Sequence, residues 1–339
     1  MSAATGDNAL HAAARAGRAD EVRALLRGAA AESEEYLNAP TRDGWTPLCL
    51  ASWQGHAAVV EALLRCGGGG QCDVNRATHN GTTPLYVASM RRHADVVALL
   101  LAVQGIDVNQ ANLDGKTPLF IASEMGHAEV AALLLARNGV DVNQAKHNGA
   151  TPLWIASRKG RAQVVRLLLR KEGIDASRED AKGWTPLFAA SYYGRTEVVG
   201  LLLRAGVDPG AHKERDDGSA DAIKTPLHVA CQHGHTAVAK LLILSGSEYT
   251  GQSLGSIRGE IVHFATRALA DHAAATEFRI CLLSARNSPD HPLHQMSHRG
   301  LDTVSRVESF LAPCLEGGSG DCRPNAAVRR SIWHILKAS

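Results

Sequence analysis

The sequence predicts an all-α repeat solenoid of helix-turn-helix units, joined by β-turn or hairpin loops and followed by a small helical region. Three observations carry that expectation. Thr-Pro-Leu recurs at Thr46, Thr83, Thr117, Thr151, Thr185 and Thr225, at intervals of 37, 34, 34, 34 and 40 residues. Each copy is followed by Ala-Ser, Ala-Ala or Ala-Cys and then a Val/Leu cluster at helical spacing, such as Val164, Val165, Leu168 and Leu169. Aromatic residues make up only 4% of the 339-residue chain while Ala, Leu, Val and Gly abound, which suits small, closely stacked helices better than a sandwich.

Each part of the repeat has a physical reason. Thr supplies an oxygen for the unpaired amides of a first helical turn, and Pro at the next position has its φ preset and lacks the amide that would go unpaired. A helix therefore starts at each Pro. Gly55, Gly126, Gly160, Gly194 and Gly234 fall about eight residues later, where a two-turn helix can end left-handed without a Cβ clash. Gly105, Gly139, Gly173 and Gly206 are read as the caps ending the second helix. The polar segments Asp107-Val108-Asn109 to Gly115 and Asp141-Val142-Asn143 to Gly149 have turn composition. Asn8-Ala9-Leu10-His11, with Ala12, Ala13 and Gly17, is a degenerate first copy, giving seven units that start near 7, 44, 81, 115, 149, 183 and 223.

These residues resemble the ankyrin repeat, which joins Thr-Pro-Leu-His to Gly-His, a Val/Leu cluster and Asp-Val-Asn. Tetratricopeptide repeats share the period, but their Trp-x-x-Leu-Gly-x-x-Tyr signature is missing. The family's histidine after Thr-Pro-Leu is kept only at His11 and His228; Cys49, Tyr86, Phe120, Trp154 and Phe188 stand there instead. An aromatic ladder at a position that faces the neighbouring repeat in the family is expected to fill the inter-repeat core. Repeats three to five carry an added residue near Ala102-Val103-Gln104, Ala136-Arg137-Asn138 and Arg170-Lys171-Glu172, lengthening the second helix or its loop. Arg92 replaces a helix-ending glycine, so that turn should be strained or rearranged.

The longer intervals mark insertions read as solvated loops: Ala29 to Tyr36, Gly67 to Gly70, and the charged Asp208 to Ile223, which is the one best placed to reach a partner. From about Gly251 the period is lost, so the expected domains are a solenoid over 1–250 and a C-terminal helical segment over 251–339. Helical spacing recurs there at Ile257, Ile261, Val262, Phe264 and Leu269, and that helix is expected to cover the apolar Thr236 to Ser245 end of the stack.

Composition narrows the function. The 36 basic and 34 acidic residues are spread without long runs, which argues against a nucleic-acid partner. Seven scattered cysteines without paired spacing, the absence of a leader pattern at the N-terminus and the absence of any apolar stretch near ~18 residues point to a soluble cytoplasmic or nuclear protein with no membrane insertion. No phosphate loop, metal helix or nucleophile elbow is found, so no catalytic residue, cofactor or metal is expected. His228, Cys231, His233 and His235 have ligand chemistry, but they lie on different faces of a short helix and its turn.

What the resemblance implies is protein recognition by a non-catalytic scaffold or adaptor, monomeric on its own, with a protein partner on its concave surface. The family's contact positions are the loop tip before Thr-Pro and the two residues before the helix-ending glycine. They fall here on Trp45, Thr82, Lys116, Ala150, Trp184 and Lys224, and on Trp53 and Gln54, Met90 and Arg91, Glu124 and Met125, Arg158 and Lys159, Tyr192 and Tyr193, Gln232 and His233. Trp, Tyr, Arg and Met are the types that concentrate binding energy. Alternatives are a tail that recruits a second effector, a nucleic-acid binder using Arg91, Lys116, Arg158 and Lys159, and an enzyme whose catalytic part lies in 251–339.

Overall fold

The computed structural model describes residues 8–27, 34–65, 72–210 and 225–245. The Gly67 to Gly70 insertion, most of the Asp208 to Ile223 loop, Lys224 and the C-terminal segment with its expected capping helix lie outside the described residues. The chain falls into two compact units, one over 1–182 and one from Gly183 onward.

The first unit holds α1 (Ala9–Arg15), α2 (Ala19–Leu25), α3 (Glu34–Leu37), α4 (Pro47–Gln54), α5 (Ala57–Leu64), α6 (Pro84–Arg91), α7 (Ala94–Leu101), α8 (Pro118–Met125), α9 (Ala128–Ala136), α10 (Pro152–Lys159) and α11 (Ala162–Leu169). The second holds α12 (Pro186–Tyr192), α13 (Thr196–Arg204), α14 (Pro226–Gln232) and α15 (Thr236–Leu244). No strand occurs among the described residues. In the first unit the leading helices α1, α4, α6, α8 and α10 pack side by side in one layer, and the trailing helices α2, α5, α7, α9 and α11 form another. In the second, α12 packs on α14 and α13 on α15.

Helix starts follow the chemistry of Thr-Pro. Thr46, Thr83, Thr117 and Thr151 accept the amide of the residue three positions on through Oγ1, at 3.1–3.2 Å, as do Thr185 and Thr225. In the degenerate first copy Asn8 takes this role, its Oδ1 accepting the His11 amide at 3.0 Å. The ladder position is core: Cys49 and Phe120 are at most 1% exposed, Tyr86 and Trp154 5%, and Phe188 7%.

Two expectations need correction, and a third is decided. Gly105, Gly139 and Gly173 do not cap the second helices, whose caps are Ala102, Arg137 and Arg170; only Gly206 directly follows its cap, Ala205. The added residue of repeats three to five therefore lengthens the turn, and the glycines serve the turn's own positive φ. The insertion before the second repeat is partly helical, since Glu34–Leu37 makes one turn whose Leu37 is fully buried. At position 92 the strained one of the two expected outcomes holds: Arg92 takes φ 65 and ψ 31, the left-handed conformation that Gly55 adopts with φ 79 in the preceding repeat.

The polar segments between helix pairs make tight turns closed by Thr41–Trp45, Thr78–Thr82, Asn112–Lys116 and Lys146–Ala150 backbone bonds of 2.9–3.0 Å. Beneath them runs an asparagine ladder. Asn75 Nδ2 donates to the Gly105 carbonyl while its Oδ1 accepts the Asp107 amide, and Asn109 and Asn143 repeat the pattern with Gly139 and Asp141, and with Gly173 and Asp175, at 2.7–2.9 Å. Each Asp of the Asp-Val-Asn run accepts the amide two residues on, which holds the asparagine in place.

Candidate functional site

Each leading helix ends in a left-handed residue, and the trailing helix begins two positions later, so the residue in between is carried next to the preceding repeat. That residue is a staple. His56 Nε2 donates to the Arg15 carbonyl at 3.2 Å, His93 to Trp53 and His127 to Met90 at 3.1 Å, and Arg161 Nε to Glu124 at 3.3 Å. A Cβ at Gly55 would lie 2.4 Å from the His93 ring, so the glycine is needed for the staple as well as for its φ. Burial holds His127 below the usual histidine value, keeping it neutral and able to donate from Nε2. Because the staples join successive helix ends, the side chains of Trp53, Met90, Arg91, Glu124, Met125, Arg158 and Lys159 form one edge of the first unit.

On that edge the expected residues are partly engaged with the fold. Trp45 and Trp53 meet edge to face at 5.5 Å, and with Met90 they pack against buried Tyr86, Val87 and Ile121. The Arg91 guanidinium lies 4.7 Å over the Trp53 ring. Lys116 Nζ pairs with Glu124 at 2.9 Å, both side chains about four-fifths covered. Of the large hydrophobic side chains described, Met125 at 41% and Leu113 at 69% exposure stand out to solvent. Arg158 lies over the buried Trp154 ring, 5.8 Å from its centre, and Lys159 is exposed. Ala150 is 1% exposed and offers no contact surface, which corrects its place among the loop-tip positions.

In the second unit Trp184, Tyr192 and Tyr193 are half-buried and brought together. Trp184 packs on Phe188 at 4.9 Å and on Tyr192 at 5.1 Å, and Tyr192 contacts Tyr193 at 5.0 Å and His233 at 4.3 Å. The cluster is continuous with the buried ladder, so its members are not purely surface residues. His235 is the staple here, its Nε2 donating to the Tyr192 carbonyl at 3.0 Å. Gln232 is exposed, and Lys224 lies outside the described residues.

Sequence reasoning passed over Leu113, an apolar residue at a polar turn tip, and treated Arg92 only as a backbone oddity. Cys49 shows no sign of nucleophilic chemistry, since burial pushes its thiol up to about 11. Burial, with Glu124 and Asp114 nearby, likewise pushes the Tyr86 phenol up to about 12. No helix among the described residues is long and apolar enough to cross a membrane.

A family model described as ankyrin repeats matches residues 1–77, 66–146 and 134–213, and a single-repeat model matches 224–249. Among solved structures, the chain is similar to the ankyrin repeat domain of Bcl-3, described as a unique member of the IkappaB protein family, at 27% identity and a TM-score of 0.59 over 70% of this chain and 99% of that one. It is also similar to the human ASB11 ankyrin repeat domain, at 25% identity and a TM-score of 0.53 over 76% of this chain and 98% of that one. Comparison with curated proteins finds no match.

Proposed function

Since the chain belongs to the ankyrin-repeat family, we propose that it is a non-catalytic scaffold or adaptor that binds a protein partner along the edge where its leading helices end. Ankyrin repeats are generally protein–protein interaction modules, and stacked repeats offer partners an extended, rigid surface. The observation that supports this edge is the company it keeps. Half-exposed Trp45 and Trp53, exposed Met125 and exposed cations stand on a base fixed by buried neighbours, so partner contact would order few new side chains. We assign binding to the solenoid over 1–250, with Trp184, Tyr192, Tyr193, Lys224 and Gln232 as further contacts; the alternative is an adaptor whose 251–339 segment recruits a second effector. The working form is a monomer in the cytoplasm.

Crosslinking mass spectrometry of the tagged full chain in native lysate tests the reading. Partner crosslinks should concentrate on Lys116 and Lys159 at the edge. Crosslinks confined to Lys171, whose Nζ donates to the Leu135 carbonyl beside the trailing helices, or to Lys240 in α15, would overturn it.

A further inference from the structure

The edge of the first unit has a charge pattern, and that pattern describes a ligand. Arg91 and Arg92 end α6, Arg158 and Lys159 end α10, and α8 lies between them. At the end of α8 the only acid, Glu124, is paired with Lys116, so Met125 presents an apolar point between two basic pairs. Asp95 and Glu129 open α7 and α9, where helix amides favour them, and Asp95 Oδ1 is turned back onto the Val96 amide at 2.8 Å.

Cations at helix C-termini have an ordinary explanation, because they complement the helix dipole. That explanation covers all four charges, Arg92 at the α6 cap included, but not the backbone that Arg92 adopts. Among the described residues Arg92 is the non-glycine with positive φ, at a position where the other leading helices of the unit use glycine. A left-handed arginine is strained, and strain of this kind is retained where function needs the side chain.

We propose that this edge binds an extended acidic segment of a partner protein: two acidic clusters flanking one apolar residue, with Met125 under the apolar residue and the two basic pairs under the acids. Packed helices lie roughly 8–10 Å apart, so the basic pairs are about 16–20 Å from each other. An extended chain rises about 3.3 Å per residue, which puts the acidic clusters about five or six residues apart. Nucleic acid fits less well, because single strands need open aromatic faces to stack on and Arg91 already covers the Trp53 face. The inference rests on the edge being the partner-binding face.

Fluorescence anisotropy of the full chain with labelled Asp-Glu-Gly-Leu-Gly-Glu-Asp, whose acidic pairs are centred about five residues apart, tests it. The expected result is saturable binding, lost when the acids are replaced by Lys and weakened about tenfold or more by Arg91→Glu with Lys159→Glu. Met125→Ser should weaken it as well. Arg92→Gly should weaken the peptide while raising the melting temperature by about 2–4 °C, because strain is relieved. No saturable binding, equal binding of the Lys peptide, an Arg92→Gly variant that binds fully, or tighter binding of a labelled oligothymidylate overturns the proposal. If partner crosslinks map to Lys116 and Lys159 while the peptide fails, the charge pattern falls and the scaffold reading stands. If they map to the trailing helices, both fall.

Discussion

Trp154 occupies a position where His11 and His228 stand in other repeats, and its burial makes it a packing residue. Trp154→Ala should cost about 3–5 kcal/mol in denaturant unfolding, and a loss below about 0.5 kcal/mol would place the ring outside the core. The aromatic cluster of the second unit is a harder case. From sequence, Trp184, Tyr192 and Tyr193 read as surface anchors whose removal spares the fold, but Trp184 rests on buried Phe188. Replacing all three by alanine should therefore lower the melting temperature as well as partner binding; an unchanged melt would show that the stacking contributes nothing. His127 adds a pH dependence. Burial keeps its folded value below 6.5, so the folded state takes up its proton later than the unfolded chain. Its contribution is present above 6.5 and is lost as pH falls through the lowered folded value, so His127→Gln should flatten the loss of melting temperature in that window.

The asparagine ladder joins successive helix pairs alongside the packed helices and the staples, and sequence alone saw only the turn composition of Asp-Val-Asn. Its bonds span 30 or 32 residues, which no local pattern reveals. Asn109→Ala removes the donor to Gly139 and the acceptor for Asp141 together and should cost about 1–2 kcal/mol in unfolding, while Gln110→Ala, with no side-chain bond of this kind, should change little. Helix starts were legible because Thr and Pro act on their own amides and φ. The ends of the second helices were not, because Gly105, Gly139 and Gly173 satisfy the turn beyond the helix and look in sequence like caps.

At the scale of the whole molecule the repeat period told which residues share an edge within each unit, since equivalent positions in a stack line up. It did not tell which of those side chains are already engaged. Lys116 and Glu124 are eight residues apart and pair across one repeat, and Arg91 reaches back to Trp53 in the repeat before. Such contacts depend on how one repeat sits on the next. The central claim, a protein-binding edge at the ends of the leading helices, is tested most directly by quantitative pull-down with the full chain. Met125→Ala with Lys159→Glu should lower partner recovery about tenfold or more at an unchanged melting temperature, whereas Arg166→Glu on trailing helix α11 should leave recovery intact. Full recovery by the edge variant, together with loss in the α11 variant, would contradict the account.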